Sequence, residues 1–198
     1  MLSFLLGCKD DDDTSIEVPA EDVFTLTCDS VQMEFHLLNE RGDTTTVFNE
    51  EEDIIFDLKL VNQSKVNRTI GRIHELFPYG LFQVYNSDGL YIGRAYSFPE
   101  ELYGDGDKND GPFYLFPHFG SLQFQCSWNE NNDKRTNTPF QYNSRLPRLN
   151  QGDYYTTATV RIGKILKGLP SNSNDIVSNV EYVGTPFIIT CSIHFQIK

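Results

Sequence analysis

The residues whose side chains could bind a ligand are concentrated between positions 95 and 120. This stretch contains seven aromatic residues: Tyr96, Phe98, Tyr103, Phe113, Tyr114, Phe116 and Phe119. Tyrosine rings stack on apolar faces of a partner, and carboxylates accept hydrogen bonds from sugar hydroxyls or backbone amides. A sandwich loop of this length is typically either functional or disordered. The candidate ligand-binding residues are therefore Tyr96, Tyr103, Asp105, Asp107, Phe113 and Tyr114.

The same stretch has two other interpretations. Its aromatic residues could fold back as a satellite of the hydrophobic core. Its residues Asp105, Asp107 and Asn109 have the spacing of the first ligands in a calcium-binding loop. However, the glycine comes one residue late and the twelfth position is Phe116 instead of glutamate. A Gly/Asp-rich turn fits better, so we expect no metal site and no cofactor.

Catalytic patterns are not evident in the sequence. The chain has four histidines, and two of them, His36 and His194, fall on the polar faces of predicted strands. No nucleophile elbow, zinc-protease or phosphate-loop motif occurs. We therefore expect a protein that is not an enzyme. The net charge of -12 also argues against nucleic acid as a partner, because phosphate backbones require a basic surface.

The beginning of the sequence predicts where in the cell the protein is located. Leu5-Leu6-Gly7-Cys8 resembles a lipobox, the end of a bacterial lipoprotein signal peptide. Only seven residues precede Cys8 and none is basic, which a start site further upstream would explain. Lys9 and the run Asp10 to Asp13 resemble the export signal of Bacteroidota surface lipoproteins. The resemblance implies acylation of Cys8 and a lipid-anchored, surface-exposed location on the outer membrane, with the periplasmic face as the alternative.

Residues 1–22 form a separate zone by composition. They hold seven acidic residues and one basic residue, which is half of the net charge of the chain. Like charges repel and extend a segment, so we expect a signal remnant followed by an acidic tether. The lipid anchor would be the only contact with the membrane. Beyond Cys8, an odd number of cysteines remains, Cys28, Cys126 and Cys191, and we expect most of them to be small buried residues.

The rest of the chain, residues 23–198, reads as a single domain of strands. Apolar residues alternate with polar ones in several runs, which predicts strands with one buried face and one solvated face. The clearest runs cover residues 31–37, 54–60, 122–128, 154–162 and 187–197. Asn86-Ser87-Asp88-Gly89 predicts a hairpin turn, and Trp128 falls on an apolar face. About eight or nine strands without a helical period indicate an all-β antiparallel sandwich.

Four segments resemble an immunoglobulin-like domain of the bacterial intracellular proteinase inhibitor type. They are Phe48–Ser64, Asn86–Gly89, Leu115–Trp128 and Leu149–Tyr154. The sequence departs from the family pattern where Glu51 or Glu52 replaces a glycine and where the glycine after Pro117 is missing. The resemblance implies an immunoglobulin-like sandwich with a tyrosine corner at Tyr154, whose hydroxyl would bond the preceding backbone. It indicates the fold and not the activity.

Together these features predict a non-catalytic surface lipoprotein, a binding or adhesion module for an unknown glycan or protein. Two alternatives remain: a proteinase inhibitor, which needs a rigid exposed loop, and an accessory subunit of an outer-membrane assembly. The stretch 95–120 is the expected binding region in the leading hypothesis.

Overall fold

The computed structural model describes residues 23–28, 30–65, 68–70, 80–97, 114–116, 120–128, 141–142, 148–162 and 187–198. Within these ranges the chain contains strands and no helix, as the sequence predicts. The strands are β1 Val23–Cys28, β2 Val31–Leu38, β3 Val47–Phe48, β4 Ile55–Asn62, β5 Arg68–Ile70, β6 Leu81–Asn86, β7 Tyr91–Arg94, β8 Tyr96–Ser97, β9 Tyr114–Phe116, β10 Ser121–Ser127, β11 Gln141–Tyr142, β12 Gly152–Ile162 and β13 Phe187–Ile197.

Nine of the strands form two sheets. The four-stranded sheet has the order β1-β2-β4-β10, and the five-stranded sheet has the order β3-β13-β12-β6-β7. The order matches an immunoglobulin-like sandwich, with β2, β4 and β10 as strands A, B and E and with β13, β12, β6 and β7 as strands G, F, C and C′. β3 is a departure from the antiparallel expectation, since this two-residue edge strand pairs with β13 in parallel.

The hydrophobic core lies between the two sheets. Alternation places every second side chain of β2 inward, and Val31, Met33, Phe35 and Leu37 are all completely buried. The C-terminal strand β13 follows the same rule from Ile189 to Ile197. Aromatic contacts join the sheets, because the ring of Phe82 in β6 lies 5.7 Å from Phe35 and 5.4 Å from Phe56. Trp128 is also buried, as predicted.

A β-bulge at Phe82 adapts β6 to this core. The pairing of β12 with β6 passes from Thr157 opposite Gln83 to Ala158 opposite Leu81, so Phe82 is the extra residue. Phe82 has a φ of 54°, a left-handed conformation that costs about 1–2 kcal/mol for a residue other than glycine. The bulge turns Leu81 and Phe82 both inward, and both are completely buried. Burial of the large phenylalanine ring offsets the backbone cost.

Two local motifs predicted from the sequence fix the start of β12 and the hairpin of β6 with β7. The hydroxyl of Tyr154 donates a hydrogen bond to the carbonyl oxygen of Asn150 at 2.9 Å, which is the geometry of a tyrosine corner. In the hairpin turn, Gly89 has a φ of 79°. The side-chain oxygen of Asn86 accepts hydrogen bonds from the backbone amides of Asp88 and Leu90. This turn places Tyr85 opposite Tyr91.

Two of the cysteines behave as small core residues. Cys126 in β10 and Cys191 in β13 are buried and in the thiol form, as expected. Burial raises the pKa of the Cys191 thiol far above its usual value, and its hydrogen bond to the carbonyl oxygen of Ala158 opposes this only in part. The side chain of Cys28 lies outside the described part of the structure.

Candidate functional site

The predicted ligand-binding residues are only partly described by the structure. Tyr103, Asp105, Asp107 and Phe113 lie outside the described residues, and so does Cys8. Tyr114 begins the short strand β9, which pairs with β5. Whether these residues bind a ligand therefore stays a prediction.

Tyr96 is described, and it is a core residue. Its side chain is 0% exposed, so no ring face is open to a ligand. The ring meets Phe82 edge-on at 6.3 Å, and the Arg94 guanidinium lies 5.3 Å above the ring centre. The hydroxyl accepts a hydrogen bond from the backbone amide of Leu81 at 2.9 Å. For this residue the satellite-core interpretation holds, and the ligand-binding assignment is corrected.

A different set of aromatic residues lies on the outer face of the five-stranded sheet, the face turned away from the core. Tyr91, Tyr85, Tyr155 and His194 come from the four adjacent strands β7, β6, β12 and β13. In the strand register Tyr91 pairs with Tyr85, Tyr85 with Tyr155 and Tyr155 with His194. Successive ring centres are 5.5, 5.0 and 5.5 Å apart. We call this in-register set the aromatic row.

The rings of the row support one another. Tyr85 and Tyr155 are stacked with only 10° between their planes, whereas Tyr91 is tilted by 59° relative to Tyr85. Stacked tyrosines cover part of each other's faces and leave their edges and hydroxyl groups toward solvent. Tyr91 is the most open of the three, with 48% of its surface exposed, and His194 at the other end is exposed as well.

Most of the hydroxyl and imidazole groups of the row make no hydrogen bond within the described part of the chain. The Tyr85 hydroxyl donates to the side-chain oxygen of Gln83 at 2.9 Å. The hydroxyls of Tyr91 and Tyr155 and the imidazole of His194 have no hydrogen-bond partner among the described residues. Burial and the neighbouring phenols of Tyr155 and Tyr91 raise the pKa of Tyr85, so its phenol stays neutral at physiological pH.

Polar residues flank the row on both sides. One flanking line runs across the strands as Arg94, Gln83, Thr157 and Ser192. On the other side, the side-chain nitrogen of Gln196 donates a hydrogen bond to the Asp153 carboxylate at 3.2 Å. The outer face is thus a strip of rings bordered by polar side chains, which suits a ligand that needs both apolar contact and hydrogen bonds.

The sequence contains a signal for this row that the alternation rule by itself does not reveal. Tyr85, Tyr155 and His194 fall on the polar faces of their strands, where a solvated side chain is the ordinary expectation. Tyrosine at two such positions is unusual, but only the strand register shows that the rings are neighbours. Alternation assigns Tyr154 to the apolar face of β12, and it therefore assigns its neighbour Tyr155 to the outer face.

The described residues give little support to other kinds of site. Among them, no group of three or more histidine, cysteine, aspartate or glutamate side chains is arranged to hold a metal ion. No helix in the same ranges has the length and apolarity needed to cross a membrane. Scans of protein-family models, of curated proteins and of solved structures found no match to this chain. The function is therefore argued from the surface of the chain itself.

Proposed function

We propose that this chain is a non-catalytic cell-surface lipoprotein whose immunoglobulin-like sandwich binds a glycan or a protein through the aromatic row. The observation that carries the proposal is the in-register set of Tyr91, Tyr85, Tyr155 and His194 on the outer face of the sheet. An outer face of an antiparallel sheet is normally lined by solvated polar side chains. Four aromatic rings in one line are therefore unusual there and mark an interaction surface.

Tyrosine is well suited to this role. Its ring provides a large apolar contact area, its hydroxyl provides a hydrogen bond, and the side chain has few torsions to immobilise. The mutual stacking of Tyr85 and Tyr155 holds both rings in place before a ligand arrives. Less conformational entropy is then lost on binding, which favours affinity.

The beginning of the sequence supports the surface address. Acylation of Cys8 would anchor the chain, and the acidic segment of residues 9–22 would hold the sandwich away from the bilayer. A tethered module on the cell surface meets extracellular glycans and proteins before any other partner. The stretch 95–120 follows directly on the edge strand β7 that carries Tyr91, so Tyr103, Asp105, Asp107, Phe113 and Tyr114 remain proposed contacts of a second region.

The test is a binding screen in which the row alone is altered. The full chain and the double variant Tyr91→Ala/Tyr155→Ala are presented to arrays of glycans and of purified surface proteins, with Val47→Ala as a matched control. Val47 is also an exposed apolar side chain, but it lies in the edge strand β3. We expect the double variant to lose a ligand that the wild type and Val47→Ala retain.

Two results would contradict the proposal. One is a ligand that binds the double variant as tightly as the wild type. The other is tight inhibition of a protease by both proteins, which would support the proteinase-inhibitor alternative.

A further inference from the structure

We infer that the aromatic row binds a neutral oligosaccharide, with the sugar chain lying along the row and therefore across the strands of the five-stranded sheet. This inference rests on the proposed function and names the class of ligand that the same surface takes. Four properties of the row support it: its shape, its hydrogen-bonding groups, its charge and its rigidity.

The shape of the row suits a linear chain. It is one ring wide, and the ring centres follow one another at 5.5, 5.0 and 5.5 Å. Each interval is close to the size of one pyranose ring, so successive sugars of a chain would each meet one aromatic residue. A stable protein–protein interface needs about 800 Å² and roughly 20–30 residues on each side, far more than this strip provides.

The hydrogen-bonding groups suit sugar hydroxyls, which both donate and accept. The hydroxyls of Tyr91 and Tyr155 and the imidazole of His194 have no partner in the described part of the chain. Thr157 and Ser192 border the row on one side and Gln196 on the other. The buried centre of a protein–protein interface is mostly apolar, whereas the neighbours of this row are polar.

The charge of the surface favours a neutral ligand. The two flanking lines carry one acidic residue, Asp153, and one basic residue, Arg94. The Asp153 carboxylate already accepts a hydrogen bond from Gln196, and the Arg94 guanidinium lies over the Tyr96 ring. A strongly acidic glycan would find no row of basic side chains beside the rings, and a basic glycan would find no row of acidic side chains.

Rigidity makes a shallow site effective. The row stands on four adjacent strands joined by backbone hydrogen bonds. The rings are therefore positioned in the absence of ligand, and binding immobilises little besides the sugar.

Calorimetric titration of the full chain with neutral oligosaccharides tests the inference. The probes are glucose-, mannose-, xylose-, galactose- and N-acetylglucosamine-based series from disaccharide to octasaccharide. For the series that binds, we expect affinity to rise up to the tetrasaccharide and then to level off, since the row has four rings. Tyr155→Ala should weaken binding by about tenfold, because it removes one contact of the row and takes away the stacking partner of Tyr85. Tyr155→Phe, which keeps the ring, should weaken it by less, and Val47→Ala should leave it unchanged.

A second measurement localises the sugar. Iodination of tyrosines, mapped by mass spectrometry, should label the exposed Tyr91 in the free protein and label it less when the oligosaccharide is bound. Failure of every neutral series to bind, or binding that Tyr155→Ala leaves intact, would overturn the inference. If a protein ligand instead depends on the row, the proposed function stands and only the ligand class is wrong. If the row variants change neither kind of binding, both proposals fail.

Discussion

The phenol oxygen of Tyr96 lies 2.9 Å from the backbone nitrogen of Leu81, and both residues are completely buried. Leu81 sits beside the bulge at Phe82, where the ladder between β6 and β12 is interrupted. A buried amide without an acceptor is costly, and the tyrosine hydroxyl supplies one. The contact ties strand β8, where the stretch 95–120 begins, to the strand that carries Tyr85.

Removal of the Tyr96 hydroxyl tests this role. Tyr96→Phe should lower the free energy of unfolding by about 1–3 kcal/mol, because the amide of Leu81 then loses its acceptor inside the core. Tyr154→Phe is the matched control: its hydroxyl bonds the exposed carbonyl of Asn150, which water can also solvate. Its loss should be smaller, about 0.5–1.5 kcal/mol. Urea unfolding measures both, and a Tyr96→Phe protein as stable as the wild type would contradict the prediction.

Thr156 and Thr159 on the same strand give a pair of opposite predictions. Thr156 is completely buried, and its hydroxyl has no hydrogen-bond partner among the described residues. Thr156→Val replaces that hydroxyl with a methyl group of similar size, so we expect stability to rise by about 1 kcal/mol. The hydroxyl of Thr159 lies 3.0 Å from that of Thr190, and Thr159→Val should instead lower stability by about 0.5–1.5 kcal/mol.

Thermal and urea unfolding of the two valine variants decide this prediction. The two substitutions are chemically identical, but the Thr159 hydroxyl has a hydrogen-bond partner and the Thr156 hydroxyl has none among the described residues. A loss of stability in Thr156→Val equal to that in Thr159→Val would mean that the Thr156 hydroxyl is satisfied.

The strands and their buried faces could be predicted because the signal is local. In β2, for example, Val31 and Phe35 alternate with Gln32 and Glu34, and each side chain lies on the face that the period of two assigns to it. The tyrosine corner of Tyr154 could be predicted for the same reason, since its partner Asn150 is four residues away. The short parallel pairing of β3 with β13 could not be predicted, because the two strands are distant in sequence.

The candidate site depends on contacts that the sequence does not encode locally. The outward position of Tyr85 and Tyr155 follows from alternation, but their 5.0 Å stacking follows from the register of β6 on β12. That register changes at the bulge of Phe82, and no local residue pattern predicts this bulge. The burial of Tyr96 is likewise a tertiary effect, since its ring packs against Phe82 and its hydroxyl accepts a hydrogen bond from the amide of Leu81.

The buried thiols predict a pattern of chemical protection. Cys126 and Cys191 are both buried thiols, and burial raises the pKa of Cys191, so thiolate is scarce there. An alkylating reagent at neutral pH should leave both residues unmodified in the native protein and modify both in denaturant. Mass spectrometry of the peptides measures this directly. Rapid native labelling of Cys191 would show that β13 opens readily or that the thiol is accessible.

The stacked tyrosines predict a loss of stability in alkaline solution. Burial, and then the phenols of Tyr155 and Tyr91, raise the pKa of Tyr85 above its ordinary value of 10.0. The folded state therefore holds the phenol proton more tightly than the unfolded chain does. This contribution to stability is fully present below about pH 10 and is lost as the pH rises through the folded-state pKa.

Replacement of single tyrosines separates this contribution from the general effect of alkali. In an alkaline titration followed by phenolate absorbance, Tyr85→Phe should remove one late-ionising group. Its stability in urea should also fall less steeply than that of the wild type above about pH 10. Tyr91→Phe takes away a neighbouring phenolate and should shift the ionisation of Tyr85 to lower pH. Ionisation of Tyr85 at or below the ordinary pKa of 10.0 would contradict this prediction.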